Sequence, residues 1–179
     1  MQKGKLGNSM DLKQFIRDIP DFPSDGIVFK DITPLLQSPS ALGHAIDLLT
    51  SMNEGKGVEV VAAIEARGFI FGAPLAYKLG ASFVPVRKQG KLPSKTIQAE
   101  YLLEYGAASL EIHEDAILPG KRVLVIDDLL ATGGTMAAAI QLIERLGGQV
   151  VGVSFVIELS FLKGREKIGN FDPAALISY

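Results

Sequence analysis

Cysteine is absent from this 179-residue chain. Its absence removes disulfides, thiol nucleophiles and zinc–thiolate centres together, and it fits a cytoplasmic protein. Histidine is nearly absent as well. The two present, His44 and His113, are too far apart in sequence to suggest a metal site, and both read as surface residues. Long apolar runs are also missing: the longest, Val150–Ile157, is broken by Gly152 and Ser154. That is far short of the roughly 18 residues a membrane span requires. Neither sign of charge dominates, and a net charge of −2 argues against nucleic acid as the main partner. There are no internal repeats, no low-complexity tracts and no secretory pattern at the start. The polar, Gly-rich residues 1–10 read as a disordered leader.

What is present fits a single domain over 1–179, long enough to bury a core. Asp11 can cap a short helix carrying Leu12, Phe15, Ile16 and Ile19 on one face. Pro20 to Pro23 break it, and Phe22–Ile32 reads as irregular with Gly26 as a hinge, so that 11–35 forms an N-terminal hood. A second helix begins near Pro39–Ser40, with Leu42, Ala45, Ile46 and Leu49 at helical spacing. Val58–Ile64 reads as a strand, Glu65–Gly68 as a turn, and Phe69–Leu79 as a helix closed by Gly80, with Pro74 predicting a kink or a late start. Phe83–Val86 is the next strand. Two strand–helix–strand units, 58–86 and 123–157, predict an α/β fold with a central, mostly parallel sheet flanked by helices. Between them, 87–110 reads as a charged lid followed by a hairpin of Gln98–Leu103 and Ala108–Ile112 turning at Glu104–Gly106.

The most informative stretch is Val123-Leu124-Val125-Ile126-Asp127-Asp128-Leu129-Leu130-Ala131-Thr132-Gly133-Gly134-Thr135. Four apolar residues predict a buried strand ending in two carboxylates. A loop of small residues follows, and a helix from Met136 to Leu146. The loop has no lysine, so it is not a P-loop, and its glycines do not follow the dinucleotide spacing. Backbone amides, two hydroxyls and a helix N-terminus suit a phosphate. Carboxylates would repel a bare phosphate, but they suit the vicinal hydroxyls of a ribose. Hence Ala131, Thr132, Gly133, Gly134 and Thr135 are the expected 5′-phosphate loop, and Asp127 and Asp128 the expected ribose ligands. Glu65, Ala66, Arg67 and Gly68 stand at the corresponding strand end of the first unit. An isolated Glu-x-Arg-Gly is an ordinary surface turn, but here it opens toward the same crevice.

The 123–135 string resembles the signature of the type I phosphoribosyltransferases. Phe22–Ile32, Glu65–Phe69, Arg87–Pro93 and Glu104–Gly106 resemble the branch of that family acting on adenine. The resemblance implies adenine and phosphoribosyl pyrophosphate as substrates, AMP and pyrophosphate as products, and a place in purine salvage. It implies a pyrophosphate role for Glu65–Gly68 and adds Arg87, Lys88 and Lys91, whose basic residues in relatives often reach a neighbouring subunit's site, so a homodimer is expected. It makes Glu104 the catalytic acid/base. Mg²⁺ is the implied cofactor, held by Asp127 and Asp128 through water. Val28, Phe29 and Lys30, with Leu159, are the expected adenine readers, although Lys30 stands where relatives often carry arginine. Two other readings stay open. A 6-oxopurine or orotate could replace adenine, with Lys30 as a donor to a purine O6. A phosphoribosyl pyrophosphate-sensing regulator could have kept the fold without catalysis.

Overall fold

A computed structural model describes residues 10–102 and 107–179. The chain divides into two units, Met1–Asp47 and Leu48–Tyr179, with the boundary inside a helix.

In the first unit, Asp11 caps a single 3₁₀ turn, Leu12–Phe15, by accepting the Lys13 amide at 3.0 Å. The longer helix expected through Ile19 does not form. Ile16 is extended, and Arg17–Ile19 is a strand, β1, antiparallel to β2 at Phe29–Asp31. Two β-branched isoleucines weaken the helix, while charge pairs reward the ribbon. Arg17 faces Asp31 in register and pairs with it at 2.7 Å, and Asp18 faces Lys30 and pairs with it at 2.7 Å. Two helices follow, α1 at Thr33–Gln37, opened by Pro34, and α2 at Pro39–Asn53. The sequence pattern had shown only the second.

The second unit is built on a seven-stranded sheet. In chain order come β3 (Val60–Ile64), α3 (Arg67–Leu79), β4 (Ser82–Lys88), β5 (Thr96–Leu102), β6 (Ala107–His113), β7 (Arg122–Leu130), α4 (Gly134–Arg145), β8 (Gln149–Glu158) and β9 (Ala174–Ser178). The spatial order is β5-β6-β4-β3-β7-β8-β9. Strands β4, β3, β7, β8 and β9 pair in parallel, while β6 and β5 extend the sheet antiparallel. The mostly parallel sheet predicted from the two strand–helix–strand units is therefore present, and β9 is an addition from a tail without a clear pattern. Ala62, Ile64, Val84, Val86, Val123 and Val125 join α4 residues Met136, Ala139 and Ile143 in one core. On the other face Gly72 of α3 lies against Ala63 and Ile126. Helices thus cover both faces, which is why β3 and β7 read as continuous apolar runs.

Three boundaries that bear on the crevice differ from expectation. Strand β7 runs on through both acids to Leu130, because it still pairs with β8 there (Asp127↔Phe155, Leu130↔Glu158). Helix α3 begins at Arg67 rather than late, with Pro74 inside it. Helix α4 begins at Gly134, two residues before the apolar pattern. Both histidines are half-buried rather than on the surface, and among the described residues the enclosed Nε2 of His113 has no hydrogen-bond partner. No helix among the described residues is long and apolar enough to cross a membrane.

Candidate active site

Strand order reverses between β3 and β7. The chain leaves β3 through α3 to β4 on one side, and leaves β7 through α4 to β8 on the other. A crevice outside the carboxyl ends of two such strands is where open α/β sheets bind ligands. The last register pair of β3 with β7 is Ala63↔Ile126, so Asp127 onward pairs only with β8.

Alternation along β7 sends its two acids to opposite faces. Asp127 lies on the α4 face and lines a pocket of about 160 Å³ with Leu129, Leu130, Ala131, Thr132, Gly133, Thr135, Met136 and Phe155. Gly134 opens the helix beside this pocket but is not in its lining. The first backbone bond of α4 runs from the Ala137 amide to the Gly133 carbonyl at 2.9 Å. The amides before it have no partner within the helix. Gly133 has φ +82°, and a Cβ there would strike the Gly164 carbonyl, while a Cβ on Gly164 would strike the Ala131 carbonyl. Two glycines thus let the 160–167 segment buttress the loop from behind. Arg165, next to Gly164, is anchored on the buried Glu158 by two hydrogen bonds of 2.6 and 2.7 Å. Those bonds hold the Glu158 carboxyl below its ordinary range.

Asp128 is buried on the α3 face, where Arg67 approaches its Oδ2 at 2.9 Å. That ion pair lacks hydrogen-bond alignment, and Oδ2 has no other partner among the described residues. The Asp128 amide donates to Asp127 Oδ1 at 2.8 Å. Burial, then the neighbouring Asp128 charge, push Asp127 well up from the ordinary carboxylate range. Burial also raises Asp128, with Arg67 opposing it. Gly68 makes this junction possible, since a Cβ there would stand 3.0 Å from Asp127 Oδ1 and 3.2 Å from the β7 backbone.

The Glu65–Ala66 peptide that joins β3 to α3 is cis. Glu65 accepts a hydrogen bond from Arg87 Nε, and Arg87 Nη1 donates to the Lys91 carbonyl at 2.9 Å. Arg87 therefore reaches the end of β3, whereas Lys88 and Lys91 are exposed. Val28 is exposed, Phe29 is half-buried with its ring edge-on to Phe22 at 5.2 Å, and Lys30 is buried on Asp18. Leu159 is half-buried after β8, its amide bonded to the Leu130 carbonyl. Glu104 lies outside the described residues. The Arg67–Asp128 pair, the Gly164 buttress and the buried Glu111 of β6 carried no signal in the sequence, because each depends on segments that only the folded sheet brings together.

The phosphoribosyl transferase domain matches residues 31–167. The chain is 57% identical over 170 residues to the adenine phosphoribosyltransferase of Clostridium tetani, covering 95% of this chain and 99% of that protein. It is 56% identical to that of Thermotoga petrophila, covering 95% and 100%. The crystal structure of adenine phosphoribosyltransferase from Thermoanaerobacter pseudethanolicus superposes with a TM-score of 0.92 at 55% identity, over 94% of this chain and 98% of that one. The Saccharomyces cerevisiae enzyme, complexed with an imino-altritol bisphosphate and adenine, does so at 0.85 and 40%, over 92% and 94%. A pocket at the switch point, a second loop at the end of β3 and these matches along almost the whole sequence lead to one conclusion: the chain belongs to the phosphoribosyl transferase family, alongside the adenine phosphoribosyltransferases.

Proposed function

We propose that the protein transfers the phosphoribosyl group of phosphoribosyl pyrophosphate to adenine, giving AMP and pyrophosphate in purine salvage. The observation that carries the reading is the pocket formed by Asp127, the 131–135 loop and the start of α4. Amides and hydroxyls of that loop bind the 5′-phosphate, with the α4 N-terminus adding favourable potential. Asp127 and Asp128 accept hydrogen bonds from the ribose hydroxyls. Glu65–Gly68 form the pyrophosphate loop, and Arg87, Lys88 and Lys91 neutralise the leaving group.

The reaction breaks the bond between C1′ and the pyrophosphate oxygen and makes a bond from C1′ to adenine N9. An oxocarbenium-like transition state needs positioning, charge neutralisation and exclusion of water more than covalent help. Glu104 takes the proton that N9 loses. The charged segment that follows β4 shields the reacting centre from water, and the 11–35 hood carries the base reader. Val28 reads the adenine edge through its backbone, and Phe29 and Leu159 offer apolar surface to its ring.

The carboxylates also fit Mg²⁺. Asp128 Oδ2 is a buried oxygen that has Arg67 at 2.9 Å but no aligned hydrogen bond among the described residues, and Asp127, on the opposite face of β7, lines the neighbouring pocket. Mg²⁺ commonly keeps several waters and uses few carboxylates, so these two side chains would be enough to hold it. When bound, Mg²⁺ supplies charge neutralisation for the pyrophosphate. As part of the same proposal the enzyme is a cytoplasmic homodimer. The exposed apolar residues Ile70, Tyr77 and Phe83 support a covered face.

Adenine is favoured over a 6-oxopurine by the relatives' names and by Lys30, whose ammonium is engaged by Asp18 at 2.7 Å rather than offered to an O6. A direct test offers Mg²⁺-phosphoribosyl pyrophosphate with adenine, hypoxanthine, guanine, xanthine or orotate and measures pyrophosphate release. Release with adenine alone is expected. Turnover of another base in preference to adenine, or of none, would overturn the reading.

A further inference from the structure

Glu111 is only 3% exposed, yet it has no part in the reaction as described. It stands on β6, opposite Arg87 of β4 and Gln98 of β5. Its Oε1 accepts the amides of Lys91 at 2.9 Å and Leu92 at 2.8 Å, and its Oε2 accepts the Thr96 hydroxyl at 3.4 Å. Burial alone would raise this carboxyl. The amides of Leu92, Gly90 and Lys91 and the Thr96 hydroxyl outweigh it and hold the group below its ordinary value. A buried charge is costly unless its lone pairs are filled. Here they are filled by the turn leaving β4, which is otherwise charged and has little to bury.

That turn has a second contact. The Lys91 amide also bonds to the Lys88 carbonyl at 3.2 Å, and the Lys91 carbonyl accepts Arg87 Nη1 at 2.9 Å. Arg87 Nε is held by Glu65. The guanidinium is thus gripped from two sides, by the end of β3 and by a turn whose own position is set by Glu111.

We propose that Glu111 is a positioning residue for the pyrophosphate half of the site, fixing through the Lys91 and Leu92 amides the turn that orients Arg87. The inference rests on the pyrophosphate role given to Arg87 above. A carboxylate that merely stabilised the sheet would affect every ligand alike. One that acts through Arg87 affects pyrophosphate and spares AMP, whose phosphate binds the separate 131–135 loop.

The experiment is calorimetric titration of the intact protein with Mg²⁺-pyrophosphate and, separately, with AMP, alongside KM and kcat for phosphoribosyl pyrophosphate. Glu111→Ala is expected to weaken pyrophosphate binding about tenfold or more, as loss of hydrogen bonds to a charged group does. KM for phosphoribosyl pyrophosphate should rise in step while AMP affinity stays unchanged. Glu111→Gln retains an acceptor and should recover most of the loss, leaving a deficit of about threefold. In an Arg87→Ala background, Glu111→Gln should cost nothing further, because the two residues then act in one chain. This cycle stands even if the alanine variant does not fold. Equal weakening of AMP and pyrophosphate, an unchanged pyrophosphate affinity, or additive effects with Arg87→Ala would each overturn the proposal. Failure of the wild-type protein to bind either ligand would instead bring down the underlying reading of the site, and this proposal with it.

Discussion

Asp127 and Asp128 are neighbours in sequence but have different surroundings. Asp127 lines the pocket beneath the small-residue loop, while Asp128 faces α3 and Arg67 at 2.9 Å. One acid therefore lines the pocket under the 131–135 loop, and the other ties β7 to the loop at the end of β3. Under the proposed function, Asp128→Asn removes charge-assisted hydrogen bonds and leaves Arg67 without its counter-charge. kcat/KM for phosphoribosyl pyrophosphate should fall about a hundredfold, since bonds worth about 1.5–3 kcal/mol shift a rate by one to two powers of ten. Steady-state kinetics would show it, and wild-type values would remove Asp128 from the site. At this scale the 131–135 loop was legible, because close backbone approach demands small residues in an unbroken local string. The Arg67–Asp128 pair was not, since nothing in either segment announces that α3 lies over β7. Gly68 shows the same limit: its small size is needed for a neighbour almost sixty residues downstream.

Individual elements show where local pattern and tertiary contact compete. The β1–β2 ribbon replaced an expected helix because its cross-strand charges pair in register, which a single-segment periodicity cannot reveal. Asp31 holds that ribbon. It accepts the Thr33 amide, Arg17 and the Thr33 hydroxyl, and these bonds lower its pKa to about 2. A folded pKa below the unfolded one gives stability that is complete above roughly pH 4 and is lost as the pH falls toward 2. Asp31→Asn should thus destabilise the ribbon by about 1–3 kcal/mol at neutral pH, and the difference from wild type should shrink at acid pH. Hydrogen exchange of the β1 and β2 amides measures this, and a difference independent of pH would refute it. The β5–β6 hairpin was legible from alternation and is present in the expected register region. Glu104, to which the proposed function gives proton removal, lies between these two strands in sequence and outside the described residues. Glu104→Gln should lower kcat by about 10²–10⁴-fold, the range for general-base catalysis, with a smaller change in KM for adenine. An unchanged kcat in single-turnover measurements would reduce Glu104 to a turn residue.

Across the whole molecule, the mostly parallel sheet with helices on both faces followed from two strand–helix–strand units, because parallel crossovers leave few topologies; its strand order came only from the structure. The tail strand β9 was not legible, for it leaves no periodic signature. The proposed dimer would pair through α3. Ile70 and Tyr77, seven residues apart, lie on one side of the helix and are 39% and 88% exposed, with Phe83 of β4 nearby at 37%. Gly72 brings Phe83 against the helix, and Phe69 stacks edge-on to it at 5.6 Å. Large apolar side chains clustered in water mark a surface that another protein covers. A symmetric dimer would bring each patch against its own copy. One substitution then enters the interface twice, so Tyr77→Glu places two like charges in an apolar setting. Sedimentation should show a shift from dimer to monomer while circular dichroism stays unchanged, because Tyr77 contributes nothing to the core. If Arg87, Lys88 and Lys91 complete the partner's site in the proposed dimer, activity should fall with the dimer and recover with protein concentration. A variant that remains dimeric would show that α3 is not the interface. A monomer with full activity would show that each crevice works alone.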